Sequence, residues 1–71
     1  MSAFSEKIKA LRKAKGVTQK AVAEQLGILE QSYQKYEYGQ HEPNHVITVK
    51  LADYFEVSTD YLLGRTDKPK Q

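Results

Sequence analysis

A chain of 71 residues carrying a formal net charge of +2 holds one small domain, which excludes a multi-domain enzyme. It contains no cysteine, so disulfides, thiol catalysis and cysteine-based zinc sites are ruled out, and a reducing cytoplasm is the expected setting. The opening Met1-Ser2-Ala3-Phe4-Ser5-Glu6-Lys7 has no apolar run of the signal-peptide kind and no later stretch has the length of a membrane span, so no membrane partner is expected.

In chain order, Phe4, Ile8 and Leu11 recur at intervals of four and three and predict a first helix that ends near Ala14, with Gly16 as its left-handed stop. This first stretch is also the basic one. Residues 1–20 hold Lys7, Lys9, Arg12, Lys13, Lys15 and Lys20 against Glu6 alone, while the remainder of the chain has more acids than bases. Such a surplus fits a polyanion partner and fits a solvated lysine-rich helix face equally well. Thr18 is an N-cap for a second helix whose inward residues are Val22, Ala23 and Leu26 and whose end is Gly27. A third helix runs from Leu29 or Glu30 to Glu37 and buries Tyr33 and Tyr36, before Gly39 and Pro43 break the pattern. Asn44 caps a fourth, in which Ile47, Leu51 and Phe55 share a face with Thr48 and Ala52. Ser58 caps a short fifth, with Asp60 in the first turn and Tyr61, Leu62 and Leu63 as its apolar side. Beyond Gly64 there is nothing to bury. The domain is therefore expected over 1–64, with a flexible polar tail over 65–71.

The segment Gln19 to Tyr38 has a special character. Two helices crossing closely through a tight turn need a small residue at the crossing, a residue tolerant of positive φ in the turn, and apolar residues on both sides. Ala23, Gly27 and the set Val22, Leu26, Ile28, Tyr33 and Tyr36 meet those needs in that order. Together with Leu11-Arg12, Gly16-Val17-Thr18-Gln19, Ala23-Glu24-Gln25-Leu26-Gly27, Lys35-Tyr36-Glu37, Glu42-Pro43, Leu51-Ala52-Asp53 and Tyr61-Leu62-Leu63-Gly64, the chain resembles the phage-repressor-like helix-turn-helix domains of the Cro/cI or XRE type. The resemblance covers about Ile8 to Gly64. It implies an all-α, compact five-helix repressor-like domain in which helices 2 and 3 form the helix-turn-helix and helix 3 is the recognition helix.

It also implies roles for individual residues. A recognition helix in the major groove shows side chains to base edges while the preceding helix crosses the backbone and aims its N-terminal amides at a phosphate. Thr18 and Gln19 match that phosphate position, and Tyr38, Gln40 and His41 lie where relatives touch the backbone. Glu30, Gln31 and Lys35 sit where relatives read bases, with Gln34 on the same exposed side and Ser32 near its edge. Gln pairs with adenine, Lys reaches guanine, and Glu accepts from cytosine. Arg12 and Glu37 match a family pair whose side chains meet beneath the recognition helix. The chain departs from the family pattern at Leu29, Glu30, Tyr38 and His45. Leu29 stands where Ser or Thr usually caps helix 3, which costs about 1 kcal/mol and offers an apolar group to a thymine methyl. Glu30 replaces a polar or basic residue, which leaves it either a base contact or a complement to the helix dipole. Tyr38 replaces an Asn, and His45 an apolar residue.

Other chemistries find little support. His41 and His45 are four apart, but Pro43 breaks any helix that would align them, and surface-loop histidines are the expectation. Tyr33 and Tyr36 have core spacing, which disfavours stacking on single strands. No cofactor, metal, catalytic set or small-molecule ligand is expected. The expected partner is double-stranded DNA bearing an inverted-repeat operator, bound by a homodimer joined through Tyr61, Leu62 and Leu63. The expected activity is sequence-specific DNA binding by a regulator that acts through operator occupancy. The alternative is a protein-binding module on the same scaffold, of the antitoxin or anti-repressor type.

Overall fold

Four of the five helices are too short to persist alone, since isolated helices below about 12–15 residues are marginal in water. Packing therefore decides the structure. In the computed structural model, which describes residues 3–70, the helices are α1 (Ala3–Lys15), α2 (Gln19–Leu26), α3 (Glu30–Glu37), α4 (His45–Phe55) and α5 (Thr59–Leu62). No strand occurs among the described residues.

The ends of the helices follow from local chemistry. Thr18 Oγ1 accepts from the Ala21 N–H at 3.0 Å, Asn44 Oδ1 from Ile47 at 2.9 Å, and Ser58 Oγ from Tyr61 at 3.0 Å, so α2, α4 and α5 each begin with a satisfied cap. Helix α3 is the exception: Leu29 is extended at its N-cap and makes no side-chain cap hydrogen bond. Gly27 closes α2 in the left-handed region at φ 71°, which turns the chain sharply into α3. Helix α4 also closes left-handed, but through Glu56 at φ 58°, a conformation that costs a non-glycine residue about 1–2 kcal/mol. The Val57 N–H donates to the Ala52 carbonyl at 2.9 Å across that turn and offsets part of the cost.

Each helix contributes to one core. Phe4 and Ile8 of α1, Val22, Ala23 and Leu26 of α2, Tyr33 of α3, Leu51, Ala52 and Phe55 of α4, and Leu62 of α5 are buried together. Leu11, Val17, Ile28, Tyr36, Ile47, Tyr54 and Val57 pack around them, half-buried. Tyr36 meets the Tyr33 ring edge-on at 6.4 Å. Leu62, expected at a dimer interface, is instead fully buried within this core. A four-residue helix has only one inward position with which to hold itself to the domain, and Leu62 occupies it. Leu63 remains 52% exposed and Tyr61 is half-buried. The segment after Gly64 returns towards α5, where the Pro69 carbonyl accepts from the Ser58 N–H at 2.7 Å.

Candidate nucleic-acid interface

The crossing of α2 and α3 is organised around one carboxylate. Glu37, at the last turn of α3, is only 2% exposed, and burying a charge is costly unless it is paired and hydrogen-bonded. Its Oε2 accepts from Arg12 Nε at 2.6 Å and from the Tyr33 hydroxyl at 2.5 Å. Its Oε1 accepts from Gln19 Nε2 at 3.0 Å and from Arg12 Nη2 at 3.3 Å. Arg12 also donates from Nη1 to the Val17 carbonyl at 3.1 Å, which ties the turn before α2 to the same cluster. No buried side-chain nitrogen or oxygen among the described residues lacks a partner.

The titration of these groups follows from their contacts. Burial pushes the Glu37 carboxyl up, but hydrogen bonds from Arg12, Tyr33 and Gln19 outweigh it and hold the pKa below the ordinary 4.5. The Arg12 guanidinium is raised by its hydrogen bond to Glu37. The Tyr33 hydroxyl is raised first by burial and then by the adjacent carboxylate, so it stays a donor.

On the outer side of α3, Glu30, Gln31 and Lys35 are exposed, Ser32 and Gln34 are half-buried, and Leu29 just ahead of them is 71% exposed. Gln34 is drawn back onto α2, with its Nε2 donating to Gln19 Oε1 at 3.2 Å and more weakly to Glu30 Oε2 at 3.4 Å. Gln19 is half-buried and holds both Gln34 and Glu37. After α3, Gly39 turns left-handed at φ 74°, and the Gln40 N–H donates back to the Lys35 carbonyl at 2.9 Å. That turn brings His41 and Glu42 beside Ser32, Lys35 and Tyr36 around a shallow groove. Tyr38 is 53% exposed and Gln40 and His41 are exposed. An exposed row of hydrogen-bonding side chains on a helix whose back is locked by a buried ion pair is suited to reading a groove-shaped, polar surface.

The basic first quarter is divided by the fold. Arg12 is taken up by Glu37, Lys7 donates to the Tyr61 carbonyl at 2.9 Å and lies over the Tyr61 ring, and Lys15 lies over the Tyr54 ring. Lys9, Lys13 and Lys20 are exposed. Sequence reasoning placed Tyr33 in the core without its hydroxyl and Gln19 on the outside without its inward bond. The i, i+4 relation of Tyr33 to Glu37 was available as a signal; the Gln19 contact, eighteen residues from Glu37, had none.

The helix-turn-helix domain family matches residues 5–68. The SPbeta prophage-derived uncharacterized HTH-type transcriptional regulator YonR of Bacillus subtilis is 44% identical over 63 residues, which is 89% of this chain and 58% of that protein. The cryptic phage CTXphi transcriptional repressor RstR of Vibrio cholerae is 43% identical over 62 residues, covering 87% of this chain and 55% of the relative. The chain thus spans little more than half the length of these relatives. The crystal structure of the P22 c2 repressor in complex with a synthetic operator superimposes with a TM-score of 0.84 at 28% identity, covering 89% of this chain and 96% of that one.

Proposed function

The chain belongs to the phage-repressor-like helix-turn-helix family, and from that premise we propose that it binds double-stranded DNA sequence-specifically as a transcriptional regulator acting by operator occupancy. The observation that carries this is α3 itself: its inner face is locked by Arg12 and Glu37, while Glu30, Gln31 and Lys35 project outward with no place in the core. The P22 c2 repressor, whose fold this chain shares, is seen in complex with operator DNA, which supports double-stranded DNA as the partner here. Gln31 reads adenine, Lys35 reads guanine, Glu30 accepts from cytosine or complements the helix dipole, and Leu29 meets a thymine methyl. Ser32 contributes at the edge of the row. The capped N-terminus of α2, with Thr18 and Gln19, seats on a phosphate, and Tyr38, Gln40 and His41 follow the backbone on the far side.

A half-site of a few base pairs gives limited affinity, so the functional unit is a symmetric homodimer on an inverted repeat, its reading helices about 34 Å apart. Leu63, with the outer edge of Tyr61, supplies the exposed apolar surface near α5 for that contact. Such a regulator works in the cytoplasm, where the DNA is. Selection of bound sequences from a random duplex pool at fixed salt tests the reading. One recurrent inverted repeat, bound with a steep loss of affinity in salt, is the expected result. Salt-sensitive binding with no selected motif would overturn it. Leu63→Asp is expected to leave the fold intact and to weaken dimerisation in sedimentation.

A further inference from the structure

Gln34 sits in the row of base-reading candidates, yet its side chain is engaged elsewhere. It is half-buried, and its amide donates to Gln19 Oε1 at 3.2 Å rather than projecting from α3. Gln19 in turn donates to Glu37 Oε1 at 3.0 Å, and Glu37 is anchored by Arg12 and Tyr33. The Gln19 amide is therefore gripped at both ends, its carbonyl by Gln34 and one N–H by Glu37. A primary amide has two N–H donors, so the bond to Glu37 leaves the second uncommitted.

We propose that Gln34 is a positioning residue for Gln19 and not a reader of base edges. This rests on the DNA-binding reading above and adds to it a division of labour within α3: Gln31 and Lys35 face the bases, whereas Gln34 acts through α2 on a phosphate. The physical gain is preorganisation. A free glutamine at the start of α2 would have to give up its rotamer freedom on binding, whereas one held between Gln34 and Glu37 has already done so on folding. Because the contact served is to the backbone, it carries no sequence information.

Binding-site selection and titration at one salt concentration, run on the wild type, Gln19→Ala, Gln34→Ala and the double variant, test the assignment. Gln34→Ala is expected to leave the selected motif and the melting temperature unchanged and to weaken binding about threefold to tenfold on every site alike. In the Gln19→Ala background it is expected to add nothing, because its effect passes through Gln19. In the free protein, Gln34→Ala is expected to move the side-chain amide resonances of Gln19 towards those of an exposed glutamine, and Lys35→Ala to leave them in place. A changed preference at one symmetric pair of positions, a loss undiminished in the Gln19→Ala background, or unmoved Gln19 resonances would each overturn the proposal. A wild type that selects no motif, while its Gln19 resonances do respond to Gln34→Ala, would remove the DNA-binding reading and reduce Gln34 to a structural contact.

Discussion

Two pairs on α3 have the same spacing and opposite chemistry. Tyr33 and Glu37 are four apart, face inward and share a hydrogen bond; Gln31 and Lys35 are four apart and exposed. The offset between the pairs is two residues, or about 200° around the helix. The inner pair is bonded to Arg12 and Gln19, so its energy belongs to the fold, whereas the outer pair is available to whatever the helix meets. Stability and the proposed readout thus fall to alternate residues of one eight-residue helix, and each is expected to respond to substitution without the other.

The largest expected effect is on the inner pair. Glu37→Ala strands Arg12 and Tyr33 and should cost about 3–5 kcal/mol, which in a domain of this size lowers the melting temperature by about 12 °C or more. The double replacement Arg12→Met with Glu37→Leu should retain more stability than either single change, because no unpaired charge remains. Thermal unfolding of Glu37→Ala, Arg12→Met, Glu37→Leu and the double variant checks both statements, and a Glu37→Ala protein that melts near the wild type would break the contrast between the faces.

The inner face also shapes the response to pH. The Glu37 pKa is held below the ordinary 4.5, so its contribution is fully present above that value and is lost as pH falls through the lower folded value. The Tyr33 pKa is raised above the ordinary 10.0, so its contribution is present below pH 10.0 and is lost as pH rises beyond it. Urea titrations across the range should show stability falling at both ends, with the acid-side fall reduced in the Arg12→Met, Glu37→Leu variant.

The outer pair should behave the other way. Gln31→Ala and Lys35→Ala should each remove about 1–3 kcal/mol of discrimination at neighbouring operator positions, while unfolding free energy changes by less than about 0.5 kcal/mol. Lys35→Ala should also flatten the salt slope if its ammonium lies near phosphate, which a titration series in salt measures. Two variants that lower affinity evenly, with no change in motif, would show that the outer face is not the reading element.

The smallest expected effect lies where the two faces meet, at the start of α3. Leu29→Ser introduces the missing cap and should stabilise the domain by about 1 kcal/mol. Replacing operator thymines by deoxyuridine should weaken the wild type at one symmetric pair of positions and leave Leu29→Ser unaffected there, since only the methyl group is removed.

What the residue order determined by itself acts over one or two turns. The caps at Thr18, Asn44 and Ser58, the left-handed exit at Gly27, the uncapped start of α3 at Leu29 and the apolar stripes of α1 and α4 are short-range relations, legible as residue types at fixed offsets. The Arg12–Glu37 pair was legible only through resemblance, since nothing local joins residues 25 apart. Only the tertiary structure decided that Leu62 is buried, that Lys7 is tied to the Tyr61 carbonyl, and that Gln34 turns back onto Gln19. A side chain such as glutamine or lysine has several torsions and suits water or a partner equally well, so its partner depends on which helices the core brings alongside. Leu62 and Leu63 make the same point for apolar residues: on a four-residue helix the pattern cannot say which leucine faces in, and the position of α5 against the rest of the core does.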